Sequence, residues 1–78
     1  MSSPLPAIRA DTIADKIYAR LRQDIAAGVF RPGARIHEKA LASGLGISRT
    51  PIREALIRLE SEGVVVCTSR RSYNVRTL

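Results

Sequence analysis

Arg49, Thr50 and Arg53 are the residues of this 78-residue chain whose types and spacing best suit the binding of a ligand. An arginine guanidinium is a planar fork of N–H donors that fits phosphate oxygens, or the acceptor edge of guanine, at two points. A threonine hydroxyl or methyl group can meet a base edge or a phosphate. Residues four apart share one face of a helix. The alternative interpretation is a solvated face, with Arg53 paired to Glu54 or Glu60.

The charge balance of the chain favours the same chemistry. The chain carries 13 Lys and Arg residues against seven Asp and Glu, a net charge of +6, and eleven of the 13 are arginine. Such a balance indicates a polyanionic partner, most often nucleic acid, the alternative being a basic domain without one. Lys39 could contact a phosphate or be solvated. The adjacent Arg70 and Arg71 could contact DNA or form a solubilising loop.

Catalytic and metal chemistry have no candidates in the sequence. His37 is the sole histidine and Cys67 the sole cysteine, so a zinc site would lack ligands and no intrachain disulfide can form. No glycine-rich phosphate loop is present. The sequence therefore predicts no catalytic residue, no metal and no cofactor, in a protein that is not an enzyme. We interpret His37 as a cap or surface residue and Cys67 as a small buried one.

Length and hydropathy limit the class of protein further. A chain of this length forms one domain. Its longest apolar run, Ile25 to Phe30, is far shorter than the about twenty residues of a membrane span. The first residues also lack the pattern of an export signal. With a single cysteine, which suits a reducing compartment, these features predict a cytoplasmic protein.

The first predicted helix follows an apolar stripe that recurs every four residues from Ile13 to Ile25. This period predicts an amphipathic helix of about fifteen residues. Thr12 is its predicted N-cap, and Asp15 is the acidic member of a capping-box pair. Gly28 is the predicted stop, because glycine adopts the left-handed exit conformation without strain.

Two further helices are predicted, separated by a turn that contains Gly44 and Gly46. The second covers residues 38–45, and its predicted inward face consists of Ala40, Leu41 and Leu45. The third covers residues 49–62, with Ser48 or Thr50 as its cap. Its apolar stripe, at i, i+3, i+4 and i+7, consists of Ile52, Ala55, Leu56 and Leu59.

The chain then changes to a strand-like pattern. β-branched residues predict strands over 64–68 and 73–77, joined by a polar turn over 69–72. The fold class is therefore mostly α with a small β-hairpin, which is typical of a winged helix-turn-helix with three helices and a wing. We expect a flexible N-terminal arm at residues 1–10 and this domain at 11–78.

Four segments of the sequence resemble the N-terminal domain of GntR-family bacterial transcription regulators. They are GVFRPG (28–33), LA (41–42), LGISRTPIREAL (45–56) and LESEGVV (59–65). The third segment is long and specific, and the resemblance covers roughly residues 10–78. It is strongest to the branch whose second domain is an all-helical, acid-binding effector domain.

The resemblance implies sequence-specific binding of double-stranded DNA, with recognition helix 49–62 in the major groove. It implies a wing at residues 68–73, near the minor groove or the phosphates. Regulators of this type are typically homodimeric repressors or activators that bind palindromic operators and release them when a small metabolite occupies the second domain. The DNA contacts that it implies are Lys39, Ser48, Arg49, Thr50 and Arg53, with Arg70, Arg71 and Ser72 in the wing.

Two features depart from the family pattern. The family often has glycine at the wing tip after a basic residue, where this chain has Ser72 after Arg71. The family also has an effector domain after the winged helix, so we expect these 78 residues to be either one domain of a longer regulator or an unusually short regulator. The small-molecule site and most of the dimer contact are therefore expected outside these 78 residues.

Two other functions are alternatives to sequence-specific binding of an operator. A winged helix can serve as a protein-interaction module, which would favour exposed apolar residues on the third helix; Ile57 is the candidate there. A non-specific RNA or single-strand binder needs exposed aromatic rings for base stacking. The three aromatic residues, Tyr18, Phe30 and Tyr73, are few and are predicted to lie mostly in the core.

Overall fold

A computed structural model of the chain describes residues 12–69 and 72–76. Its elements are α1 (Ile13–Ala26), β1 (Arg35–His37), α2 (Glu38–Leu45), α3 (Arg49–Ser61), β2 (Val65–Ser69) and β3 (Ser72–Val75). The strands form one antiparallel sheet in the order β1-β3-β2. The predicted winged helix is confirmed, and β1 extends the predicted hairpin to a three-stranded sheet. The predicted arm at residues 1–10 lies outside the described residues.

Helix α1 begins with the predicted capping box. The Thr12 Oγ1 accepts a hydrogen bond from the Asp15 amide at 3.0 Å, and the Asp15 carboxylate accepts one from the Thr12 amide at 3.1 Å. Two N–H groups that the helix leaves unpaired are thereby satisfied. The helix ends at Ala26, two residues before Gly28, whose φ of 81° reverses the chain.

Helix α2 has the predicted bounds but a different inward face. Ala42 is buried and Leu41 is half-buried, whereas Ala40 and Leu45 are exposed. The orientation follows from Glu38, the first residue of α2, which is fully buried. Because residues four apart lie on one face, an inward Glu38 brings Ala42 inward as well.

Helix α3 is the centre of the core. Its predicted stripe is confirmed, since Ile52, Ala55, Leu56 and Leu59 are each at most 1% exposed. These side chains pack with Ile17 and Leu21 of α1 and with the inner face of the sheet. The helix runs from Arg49 to Ser61, one residue shorter than predicted. Because four side chains of α3 are buried in the core, tertiary packing sets the orientation of this helix, as is usual for short helices.

The sheet covers the remaining side of the core. Ile36 of β1 lies opposite Tyr73 of β3, and Val65 of β2 lies opposite Val75 of β3; all four are buried. Burial raises the pKa of the Tyr73 phenol, because the ionised form loses its hydration.

Two predictions for the hairpin are wrong. Ser69 and Ser72 belong to the paired strands and not to the turn. Cys67 is exposed and not buried, because β2 is an edge strand that turns only Val65 into the core.

Candidate nucleic-acid interface

The N-terminal end of α3 is basic, exposed and without a side-chain cap. Ser48 occupies the N-cap position, but its side chain makes no capping hydrogen bond, and the first turn holds no acidic residue. Arg49 and Thr50 are exposed, and Arg49 forms no ion pair within the described residues. The free amides and the helix dipole both favour an anion at such an end.

The first turn of α2 lies beside this end of α3. Lys39 is exposed there, next in sequence to Glu38, whose side chain contacts Arg53 of α3. His37 is exposed at the N-cap position of α2 and makes no side-chain capping bond. The structure therefore brings Lys39, Ser48, Arg49, Thr50 and Arg53 to neighbouring turns of two helices.

Arg53 is held by the Glu38 carboxylate, a partner that its sequence neighbours do not predict. Its Nε donates to Glu38 Oε2 at 3.1 Å, and its Nη2 donates to Glu38 Oε1 at 3.0 Å. The Glu38 side chain is 1% exposed, whereas that of Arg53 is 44% exposed. The hydrogen bond to Glu38, followed by its charge, raises the pKa of Arg53 above its ordinary value. The partner predicted in the alternative interpretation was Glu54 or Glu60; the structure places Glu38 there instead.

Of the predicted wing contacts, the structure describes only Ser72. Arg70 and Arg71 lie outside the described residues. Ser72 is 5% exposed and pairs with His37 on one side and Ser69 on the other. A side chain so buried is a poor DNA contact, and we do not retain Ser72 as one.

The C-terminal end of α3 is tied to α1 by polar contacts. The Tyr18 hydroxyl donates to Glu62 Oε1 at 2.6 Å, and Arg22 Nη1 donates to the same oxygen at 2.7 Å. The Arg58 guanidinium lies 3.8 Å from the centroid of the Tyr18 ring and 3.4 Å from Asp15 Oδ1. These arginines are engaged within the fold, which gives them a structural role.

The aromatic residues are arranged for packing. Tyr73 belongs to the buried core, and the half-buried Tyr18 and Phe30 pack against that core. The Tyr18 ring also carries Arg58 on one face. None of the three forms the open stacking platform that single-stranded nucleic acid requires.

Residues 12–69 and 72–76 contain neither a cluster of metal-ligand side chains nor a helix suited to spanning a membrane. In these two stretches, no group of three or more His, Cys, Asp or Glu residues is placed to hold a metal ion. Of the helices described, none is long and apolar enough to cross a membrane.

Comparison with known proteins decides the family. The model for bacterial regulatory proteins of the gntR family matches residues 13–75. The chain belongs to the GntR family. Its GntR domain is 40% identical over 63 residues to the HTH-type transcriptional regulator YdhC of Bacillus subtilis, covering 81% of this chain and 28% of YdhC. It is 51% identical over 49 residues to the Nta operon transcriptional regulator of Aminobacter aminovorans, covering 63% of this chain and 23% of that regulator.

Solved structures of GntR-family proteins share the fold. The McbR/YncC structure of E. coli superposes with a TM-score of 0.83 at 33% identity, over 86% of this chain and 32% of McbR. A GntR-family regulator from Pseudomonas syringae gives a TM-score of 0.76 at 27% identity, over 99% of this chain and 31% of that one. The GntR chain is thus a winged-helix DNA-binding domain of the transcription-regulator type and not an enzyme. It spans less than a third of each of these four relatives.

Proposed function

We propose that this GntR domain reads a specific sequence in double-stranded DNA by placing the N-terminal end of α3 in the major groove. The observation that supports this most is the exposed, basic and uncapped start of that helix at Ser48, Arg49 and Thr50. In helix-turn-helix proteins the second helix of the unit enters the major groove and contacts bases with its N-terminal residues.

Each side chain of the proposed interface has a role that suits its chemistry. Arg49 forms no ion pair within residues 12–69 and 72–76, and its guanidinium fork suits the O6 and N7 acceptors of a guanine. Thr50 contacts a base edge, and Ser48 donates to a phosphate at the helix start. Lys39, on the neighbouring turn of α2, contacts a phosphate as a point charge. Arg53 contacts the groove through the part of its guanidinium that Glu38 leaves open.

The wing completes the proposed interface. Arg70 and Arg71 stand between two paired strands in the sequence, and a pair of arginines suits the negative potential of a narrow minor groove. Ser72 is left out because it is buried.

The wider activity is also a proposal, because the relatives are much longer than this chain. We infer action as a homodimer on a palindromic operator, with release by a small metabolite bound to a second domain outside these residues. Repression is the proposed mode, since the E. coli repressor RspR is 33% identical over 81% of this chain. Binding to a bacterial operator places the protein in the cytoplasm.

The test is a selection from short random-sequence duplexes, followed by fluorescence anisotropy at two salt concentrations. We expect enrichment of a short palindrome, with an affinity that falls steeply in salt. Salt-sensitive binding without enrichment would support a non-specific binder instead. Absence of binding at low salt would favour the protein-interaction alternative, for which Ile57, 50% exposed on α3, is the surface to examine.

A further inference from the structure

The contact between Glu38 and Arg53 is unusual in its burial. The Arg53 side chain is nearly half in solvent, but its partner is a carboxylate with a 1% exposed side chain. A buried charge is strongly unfavourable unless it is paired and hydrogen-bonded. Arg53 is therefore one of the partners that compensate the buried charge of Glu38, and the pair is little screened by salt because Glu38 is out of the solvent.

The geometry of the pair leaves one edge of the guanidinium open. Glu38 takes the edge formed by Nε and Nη2. A guanidinium has five N–H donors in a fixed fork, so the edge formed by Nη1 and Nη2 still presents one outward N–H from each nitrogen. Nη1 makes no hydrogen bond to any residue in the described ranges. That second edge can make a two-point contact with a guanine or a phosphate.

Glu38 also neutralises the positive charge of Arg53 at the surface that is proposed to face DNA. A lone arginine attracts every phosphate it meets and releases counterions from any sequence. An arginine neutralised by a fixed carboxylate loses most of that attraction but keeps its directional donors. Its contribution then depends on acceptors at the correct place, which is a property of the base sequence.

On this basis, which rests on the proposed function, we propose that Glu38 is a positioning residue for DNA recognition. It orients the Arg53 guanidinium and removes its charge, so that Arg53 acts as a directional reader and adds little to non-specific binding. Glu38 itself touches no DNA and acts through Arg53.

The test uses Glu38→Gln in the full chain, with the selected duplex and an unrelated duplex measured over a salt series. Glutamine keeps the size and one acceptor oxygen but frees the charge of Arg53. We expect tighter binding of the unrelated duplex, a salt slope steeper by about one unit, and a preference for the selected duplex reduced about tenfold. In the double variant Glu38→Gln/Arg53→Gln the slope should return to that of the parent while the preference stays low.

The matched control is Glu62→Gln. This change also frees an arginine, Arg22, and also raises the net charge by one, but at the opposite end of α3. We expect the slope and the preference to stay at the parent values. An equal gain in slope from Glu62→Gln would show a general charge effect and overturn the proposal.

Arg53→Lys is a second, independent variant. Lysine can keep the ion pair with Glu38 but has no second edge, so the salt slope should hold while the preference falls about tenfold. An unchanged preference would overturn the proposal. So would a Glu38→Gln variant that binds both duplexes more weakly by the same factor with a lower melting midpoint, because Glu38 would then only join α2 to α3. A parent protein that selects no sequence would instead refute the proposed function.

Discussion

The starts of α1 and α3 are built in opposite ways. At the start of α1, Thr12 and Asp15 satisfy each other's backbone amides and put a negative charge at the positive end of the helix. At the start of α3, Ser48 makes no capping bond and Arg49 adds positive charge to the same kind of end. The first arrangement stabilises a helix and the second weakens one.

Under the proposed function, this difference separates a helix start that serves stability from a helix start that serves DNA binding. Helix α3 tolerates its unfavourable start because four of its side chains are almost completely buried. Its local sequence departs from the rules for a stable helix at the one end that is free to meet a ligand, which is where such departures are expected. The α1 start lies outside the proposed DNA contacts and follows those rules.

The largest expected effect comes from removing the packing on which the comparison depends. Leu56→Ala should lower the free energy of unfolding by about 2–5 kcal/mol, because a fully buried side chain leaves a cavity in the core. Thermal unfolding followed by circular dichroism measures this. An unchanged midpoint would mean that the buried and exposed faces of α3 are assigned the wrong way round.

Arg49→Ala should weaken binding to the selected duplex by about 10- to 100-fold, because a two-point guanine contact is lost. Its melting midpoint should stay level or rise, since a positive charge leaves the helix start. Arg58→Ala removes the same charge from the other end of α3, where the side chain contacts Tyr18 and Asp15. That control should lose stability and keep its DNA affinity. The reverse pattern would contradict the assignment of the two ends.

Thr12→Ala and Ser48→Ala compare the two helix starts directly. Thr12→Ala should cost about 1 kcal/mol of stability and leave DNA affinity unchanged, because it breaks the capping box. Ser48→Ala should leave stability within about 0.5 kcal/mol and weaken DNA binding about fivefold, through loss of a phosphate contact. Chemical unfolding and anisotropy on both variants provide the measurements. Equal losses of stability in the two variants would contradict the proposed difference between the starts of α1 and α3.

Lys39→Ala has the smallest expected effect. It should weaken binding of the selected and unrelated duplexes by the same factor and reduce the salt slope by about one unit, as expected for a single phosphate contact. Lys16→Ala, at an exposed position on α1, should leave the slope unchanged. A loss that depends on the base sequence would assign Lys39 to base recognition instead.

The sequence predicted the helices well because their apolar stripes repeat at helical spacing. The buried face of α3 and the capping box of α1 follow from local patterns of a few residues. Glu38 was missed because an acidic residue in a first turn normally lies at the surface, and its partner Arg53 is 15 residues further along the chain. Such a contact is set by the packing of two helices, which no local pattern encodes.

The other differences between the sequence-based predictions and the structure also depend on tertiary structure. The exposure of Cys67 depends on the position of β2 at the edge of the sheet. Leu45 lies seven residues after Glu38, and therefore on the same helix face, so its exposure follows from its place at the end of α2 and not from the orientation of the helix. The site residues could be proposed from their types, but their pairing required the tertiary structure.

The most direct test of the account is a nuclear magnetic resonance titration of the ¹⁵N-labelled chain with the selected duplex. We predict that the largest amide shift changes fall on Lys39 and on the residues of 48–53 that have an amide N–H, which excludes Pro51, while Thr12, Tyr18 and Glu62 change little. Changes concentrated on α1 or on the C-terminal end of α3, with residues 48–53 unaffected, would contradict the claim that the uncapped start of α3 is the DNA-reading end.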